Sequence, residues 1–431
     1  MPPAGKRKMI DTILSILFVV LTVLHISWLI IFFYPAKRTN YGNFHGNVSV
    51  IIPAHNEEKF IKKTIENVIS EDYPGEIEVI VLNDLSTDRT AEIVEEISKK
   101  DSRVVLINME KHMGKSNAVN LGLKKVKNEI VIILDADSEI EKNSLLKIVQ
   151  SFSDENVGGV SCIMRARQTR NPLTWFQDME YMLSSGSRYL FNKLNGTYFL
   201  PGFAAFRKKA LDKVGGLSKM TFSEDLDIGL QLKKAGYKLE MSNATVYTQV
   251  PATIRGFIRQ RVRWCFGTIQ VLRKHSDLIF NRKYGLVGMY CIPLQIFWYV
   301  YSIIYIPIAF YQIFSGYIQN FAAYSNYISI EVAKYFFNWF SAYGMVEYVY
   351  KTAQGIYPVT TAFYTLVAMF ILYMVYNLLV MTKFSKPSLR FFIVLFFLFP
   401  YFFVTLGLHI FSFVKGTIQP TVVANRWEKS F

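Results

Sequence analysis

The sequence predicts an α/β domain with a doubly wound, mostly parallel sheet, inserted between membrane-spanning α-helices. Three observations predict it. Short β-branched apolar runs alternate with helical spacing between Val48 and Asp137, the pattern of successive β-α-β units. The run Ile130–Leu134 is apolar throughout, which marks a strand covered on both faces, as inside a parallel sheet. Two long apolar blocks, Met9–Tyr34 and most of Tyr284–Phe413, flank a stretch of ordinary globular composition. The first is about long enough to span a bilayer, which takes roughly 20 apolar residues.

Composition narrows the classes. With 51% hydrophobic, 16% aromatic and 19% charged residues, the 431-residue chain is too apolar to be disordered. Its length implies about two or three folding units. The net charge of +15 would suit nucleic acid, but no basic-aromatic interleaving or nucleic-acid motif accompanies it. Residence at a membrane surface on the cytoplasmic side explains the basic excess better. The cysteines, Cys162, Cys265 and Cys291, show neither metal spacing nor a disulfide framework.

In chain order, Lys6, Arg7 and Lys8 precede the first apolar block, and Lys37 and Arg38 follow it. With no small-residue cleavage site, the block reads as an anchor over residues 1–38. Val48–Ile52 is a strand that Pro53 ends, and Glu57–Ser70 has helical spacing. Glu76–Leu82 is a second strand, closing in Asn83-Asp84, before a helix that runs to about Lys100. Arg103–Asn108 is a third strand, and Gly114–Lys127 a helix opening with Gly-Lys-Ser. The fourth strand, Ile130–Leu134, ends in Asp135 and Asp137, ahead of a helix near Glu141–Phe152.

In an open α/β sheet, ligands sit at the C-terminal strand ends. Asp84, Asp135 and Asp137 therefore share one rim. If the extended geometry persists, Asp135 and Asp137 point the same way. Two adjacent carboxylates repel, so a cation between them is expected, and hard oxygen ligands suit Mg²⁺ or Mn²⁺ together with phosphate. Asp84 is expected to be free to accept from a base or ribose. Lys115 either pairs with a diphosphate or is a solvated lysine.

Beyond Asp154 the pattern loosens. Val157–Met164 reads as a strand, Trp175–Leu190 as a helix, and Phe199–Phe206 as an apolar turn bearing glycine. Glu224 and Asp225 open a helix, Glu224–Ala235, where first-turn acids serve either the dipole or catalysis. Thr253–His275 is a basic amphipathic helix, with Ile254, Phe257, Ile258, Val262, Cys265, Ile269 and Leu272 on one face. It reads as lying in the lipid interface. Within it, Gln260, Arg263 and Trp264 either meet a diphosphate and a sugar ring or anchor the helix. Apolar runs follow at about 286–314, 358–382 and 389–414. The stretch 323–349 carries Glu331, Lys334 and Glu347 and is not expected to span. Pro400 either sits within a crossing or breaks the last run.

Together, PAHNEE at Pro53–Glu58, Asn83-Asp84, Asp135-x-Asp137, Ser223-Glu224-Asp225 and Gln260-x-x-Arg263-Trp264 resemble a membrane-embedded family-2 glycosyltransferase with a GT-A (Rossmann-like) domain. The order and setting are most similar to processive synthases of poly-N-acetylglucosamine, hyaluronan, chitin or cellulose. That resemblance implies that Pro53, Ala54, Glu57 and Asp84 hold the uridine, with Lys115 beside the nucleotide. It implies that Asp135 and Asp137 bind the metal-diphosphate, Asp137 being the direct ligand. Asp225, next to Glu224, becomes the general base, and Gln260, Arg263 and Trp264 hold the leaving diphosphate and the acceptor sugar. Trp427 matches the tryptophan of a C-terminal gating segment. Leu85, Ser223 and Gly202-Phe203-Ala204 depart from the family's usual residues.

The domains expected on this basis are an anchor (1–38), a GT-A domain (39–250) and an interface helix (251–283). Transmembrane or re-entrant helices (284–414) and a gating-like tail (415–431) complete the chain. The expected partners are a UDP-sugar donor, a growing polysaccharide acceptor and the lipid bilayer, with room for an accessory subunit and no nucleic acid. The expected location is the plasma membrane, multi-pass, with the catalytic domain cytoplasmic. Two other functions fit parts of the pattern: transfer of one sugar to a polyprenyl phosphate, and a non-catalytic membrane transport or scaffold role.

Overall fold

The computed structural model describes residues 4–35 and 44–418. They fall into two compact units, one formed by the N-terminal helix with residues 294–413, the other chiefly by residues up to 293.

The second unit holds an eight-stranded sheet in the order β3-β2-β1-β4-β7-β6-β8-β5. After the N-terminal helix α1 (Ala4–Phe33) come β1 (Val48–Ala54), α2 (Ile61–Ile69), β2 (Ile77–Asn83), α3 (Thr90–Ser98), β3 (Val104–Asn108), α4 (Lys115–Leu123) and β4 (Ile130–Leu134). β1 to β4 run parallel, so their C-terminal ends share one edge. The strand β4 is buried on both faces, as its unbroken apolar run requires. Ile130, Ile132 and Leu134 join the core under α2, α3 and a later helix. Val131 and Ile133 join the opposite core, under α4. Each fully buried side chain of this kind contributes roughly 2 kcal/mol.

The remaining elements are β5 (Ser138–Ile140), α5 (Ser144–Val149), β6 (Val157–Ala166), α6 (Pro172–Lys193), β7 (Phe203–Arg207), α7 (Lys208–Val214), α8 (Glu224–Lys234), β8 (Lys238–Thr248) and α9 (Ile254–Lys274). Here the sequence reading needs correction. Phe199–Phe206 is not all turn: from Phe203 it is a strand, antiparallel to β4, with Leu134 opposite Phe203. The strands β5 and β8 carried no clear apolar signal. The sheet is thus mostly parallel, with β7 and β5 inverted.

Boundaries shift for local reasons. Strand β1 continues through Pro53, because beyond Ile51 only β2 pairs with it and a missing N–H costs nothing on the open side. The helix expected from Glu57 begins at Ile61. Before it, the amides of Glu57 and Glu58 donate instead to Thr90 Oγ1 and Asp88 Oδ2.

Among the described residues, four helical stretches are long and apolar enough to cross a membrane: Lys8–Phe33, Val287–Tyr324, Thr361–Phe384 and Leu398–Ile418. Within their unit, Leu17, Leu21 and Tyr301 form a buried cluster with Phe297, Met369 and Leu406, drawn from all of these stretches. The intervening helices α11 (Ile330–Phe340) and α12 (Tyr343–Ala353), after α10 (Ile292–Asn320), are 11 residues each, too short to span. Beyond α13 (Thr361–Phe384), the last apolar run divides at Phe397 into α14 (Leu389–Phe396) and α15 (Leu398–Ile418). The break precedes Pro400, which sits in the first turn of α15, where proline is tolerated.

In α8, Gly229 lies against the carbonyl of Tyr198, which a β-carbon would overlap. Gly229→Ala is expected to destabilise the domain by about 1–3 kcal/mol, read as a lower unfolding temperature of the detergent-solubilised protein.

Candidate active site

The rim begins with Asp84, one residue past β2. It is completely buried. Its Oδ1 accepts from the amide of Met113 at 2.7 Å and its Oδ2 from that of Gly114 at 2.8 Å. His112 Nδ1 lies 3.0 Å from Oδ2. The carboxylate is therefore not free to accept from a base or ribose, as the sequence reading expected. It fixes the loop that leads into α4. Gly114 adopts φ +80° there, a left-handed region open to glycine, and the next residue is Lys115.

Lys115 is not a solvated lysine. Its Nζ sits 2.7 Å from Asp135 Oδ1 and 3.2 Å from Glu224 Oε1. Burial opposes its charge, but Asp135, Glu224 and Asp225 outweigh that cost and raise its pKa. One cation thus joins the end of β4 to the start of α8.

The extended geometry does not persist past Leu134. A turn, closed by Ser138 N donating to Asp135 O at 3.1 Å, sends the two aspartates to different partners. Asp135 meets Lys115. Asp137 Oδ1 accepts from Thr248 Oγ1 of β8 at 3.2 Å. Burial first, and the charge of Asp135 second, push the Asp137 carboxyl up to about 7. Asp225 behaves similarly: burial and the charge of Glu224 push it up to about 7, while Leu226 N donates to its Oδ1 at 2.8 Å. A carboxyl near neutrality exchanges protons with little driving force, as a general base requires.

The carboxylates of Asp135 and Asp137 are hard oxygen donors held near each other against their mutual repulsion, which fits a divalent cation. Among the described residues, no three His, Cys, Asp or Glu side chains form a ligand set. The protein therefore offers two carboxylates, and the other positions suit phosphate oxygens and water, the usual arrangement for Mg²⁺.

Pro53 and Ala54 close β1 at this edge, and Glu57 follows, 2% exposed. His55 Nδ1 donates to Asp84 O at 2.7 Å, and its ring lies 4.5 Å from that of His112. His55 lies within the PAHNEE motif but was given no role from the sequence, and His112 belonged to no pattern visible there.

On α9 the roles of the arginines differ. Arg261, 2% exposed, pairs with Glu180 of α6 and lies 4.3 Å from the Trp264 ring centroid. Its Nη1 also donates to Gln260 Oε1. The Trp264 ring packs on Tyr181 with centroids 6.0 Å apart. Burial raises the Tyr181 pKa, and the charges of Asp137 and Asp135 add to the shift, so this aromatic pair lies within electrostatic reach of the acids. Arg263 is half-buried and has no hydrogen-bond or ion-pair partner among the described residues. Ile254 and Ile258 are 71% and 37% exposed, whereas Phe257 and Ile269 are buried. The expected apolar face is therefore split, because the helix docks through Phe257 and Arg261. Trp427 lies outside the described residues. Glu180, Tyr181 and Arg261 were missed because α6 carries no motif and nothing local separates Arg261 from Arg263.

The fold and this acidic rim define a class, a mostly parallel α/β domain with paired carboxylates at its strand ends. Residues 49–215 match the family described as glycosyl transferase family 2, and the chain carries a family-2 glycosyltransferase domain of GT-A architecture. The chain is 32% identical over 252 residues to "Probable glycosyltransferase YdaM" of Bacillus subtilis (strain 168), covering 55% of this chain and 58% of that one. It is 32% identical over 244 residues to a poly-β-1,6-N-acetyl-D-glucosamine synthase of Staphylococcus epidermidis, covering 56% and 59%. The chain thus spans less than two thirds of the length of these relatives. A mannosyltransferase from Pyrobaculum calidifontis, solved with GDP-Man and Mn²⁺, shares the fold with a TM-score of 0.60 at 22% identity, covering 84% of this chain and 97% of that one.

Glu180→Gln strands the buried Arg261 charge and is expected to cost about 3 kcal/mol, seen as a lower thermal midpoint. A double change with Arg261→Met is expected to recover much of that loss.

Proposed function

We propose that the chain is an inverting glycosyltransferase that moves a sugar from a UDP-sugar, UDP-N-acetylglucosamine favoured, onto a growing β-linked polysaccharide and passes the polymer across the membrane. One observation carries the reading: Asp135 and Glu224 meet on Lys115, with Asp137 and Asp225 at the same centre. Similarity to a poly-β-1,6-N-acetyl-D-glucosamine synthase supports the choice of sugar.

In this reading Pro53, Ala54 and Glu57 line the uridine site, and Asp84 acts by shaping the loop that delivers Lys115. Asp225 takes the proton from the acceptor hydroxyl as its oxygen bonds to the anomeric carbon. The bond from that carbon to the diphosphate oxygen breaks, and the electron pair leaves with UDP. Displacement from the opposite face turns an α-linked donor into a β-linkage. Arg263 and Lys115 hold the leaving diphosphate, where negative charge develops. Gln260, three residues ahead of Arg263 on α9, assists there, and Trp264, backed by Tyr181, gives the acceptor sugar an apolar face. Asp135 and Asp137 would hold Mg²⁺ or Mn²⁺, which when bound supplies further charge neutralisation at the diphosphate.

The four apolar helical stretches support a multi-pass membrane protein, which in this reading lies in the plasma membrane with its catalytic domain cytoplasmic. The exposed Ile254 and Ile258, with Arg255 and Arg259, support contact of α9 with lipid. We propose as domains an anchor 1–38, a GT-A domain 39–250, an interface helix 251–283, transmembrane or re-entrant helices 284–414 and a gating-like tail 415–431. An accessory subunit is compatible with this arrangement.

Asp225→Asn is expected to lower kcat by at least about 100-fold while leaving UDP-sugar affinity nearly unchanged, measured by radiolabel transfer and by calorimetry. The raised Asp225 carboxyl takes up a proton as the pH falls, so wild-type transfer declines below about 7. Near-normal turnover in the variant, or a rate indifferent to acid, sinks the assignment. Chelation by EDTA is expected to abolish transfer and added Mg²⁺ or Mn²⁺ to restore it. The product with labelled donor is expected to be long polymer; a single lipid-linked sugar would overturn processive elongation.

A further inference from the structure

Asp227 lies two residues beyond Asp225 on α8 and is completely buried. It has no place in the chemistry above, yet it is gripped from several sides. His275 Nε2 lies 2.6 Å from its Oδ1, and Lys274 Nζ 2.7 Å from its Oδ2. Thr221 Oγ1 donates to Oδ2 at 3.2 Å and Gln231 Nε2 to Oδ1 at 3.1 Å. Burial opposes its ionisation, but the donors from His275 and Lys274 more than offset this and hold its carboxyl far below the usual range. The residues Lys274 and His275 sit at the end of α9, the helix that carries Gln260, Arg263 and Trp264.

The contact continues back along α9. Gln270 Oε1 accepts from Phe222 N at 3.0 Å. At Gly267 a β-carbon would overlap Ser223 Oγ and lie 2.8 Å from Ser223 N. The residues just before and within the first turn of α8 are therefore fastened to α9 at three successive points, the ionic one last. Asp225 is in that turn, and Arg263 and Trp264 lie one turn ahead of Gly267 on α9.

We propose that Asp227, clamped by Lys274 and His275, is a positioning residue that sets where Asp225 stands relative to the acceptor- and diphosphate-holding part of α9. The inference rests on the roles proposed above for Asp225 and α9. A base that must meet an acceptor hydroxyl tolerates little displacement, and a shift of about 1 Å can cost on the order of 100-fold in rate. Water reaches the anomeric carbon without that alignment. Loosening the clamp therefore penalises transfer to the sugar acceptor more than hydrolysis of the donor.

The test measures the ratio of sugar transferred to donor hydrolysed, which does not depend on how much enzyme is folded. Asp227→Asn, which breaks the ionic end, and Gly267→Ala, which wedges the close contact, are each expected to lower this ratio by about tenfold or more, with the Kd for UDP unchanged. His275→Gln, which keeps a donor, is expected to fall less than His275→Leu. A lower total rate at an unchanged ratio overturns the proposal. Amide hydrogen exchange over residues 223–228 reads the same clamp without turnover. It is expected to quicken in Asp227→Asn and Gly267→Ala, and unaltered exchange overturns the proposal. Failure of the wild type to turn over any UDP-sugar would instead fall on the function proposed above, with the exchange result still deciding the clamp.

Discussion

The site depends on Lys115. Carboxylates gathered at one rim repel, and at about 4 Å in a partly screened interior each pair costs up to roughly 4 kcal/mol. The Lys115 ammonium, 2.7 Å from Asp135 and 3.2 Å from Glu224, offsets this and joins two elements far apart in sequence. Its own placement is inherited. Asp84 binds the amides of Met113 and Gly114, Gly114 takes a left-handed turn, and α4 then starts with Lys115 facing the rim. A buried acid at the end of β2 thus sets a base, and that base sets the acids of β4 and α8.

Much of the parallel half of the fold was legible. Strands β1, β2 and β4 are apolar runs bounded by turn residues, and burial on both faces leaves that mark in the sequence, while β3 keeps an apolar run at the partly exposed sheet edge. The inverted strands were not. Strand β7 follows Pro201-Gly202 and is five residues long, so its local pattern is that of a turn. Strand β8 mixes polar and apolar residues although it is largely buried, with Glu240, Ser242, Thr245 and Thr248 among its buried positions. Its pairing partners β6 and β5 lie far back in the chain, and no local window contains them.

The site was legible as a set of residue types, less so as a set of roles. A carboxylate after a strand has the same sequence signature whether it meets a ligand or its own backbone, which is why Asp84 was misread. Arg261 and Arg263 are indistinguishable until Glu180 of α6 selects one of them for burial. Spacing placed Asp135 and Asp137 together but could not show that one turns to Lys115 and the other to Thr248. In each case a tertiary partner from outside the local window decides.

The reversal of β7 has an outcome for how such a site can diversify. Because it runs against β4, its beginning and not its end reaches the acidic edge, and Gly202, at φ +64°, arrives beside Asp135 and Met164. Gly202 is therefore held at that edge by a strand whose register is fixed elsewhere in the sheet. Substitutions in the few residues leading into Gly202 then reshape that edge with the sheet left as it is.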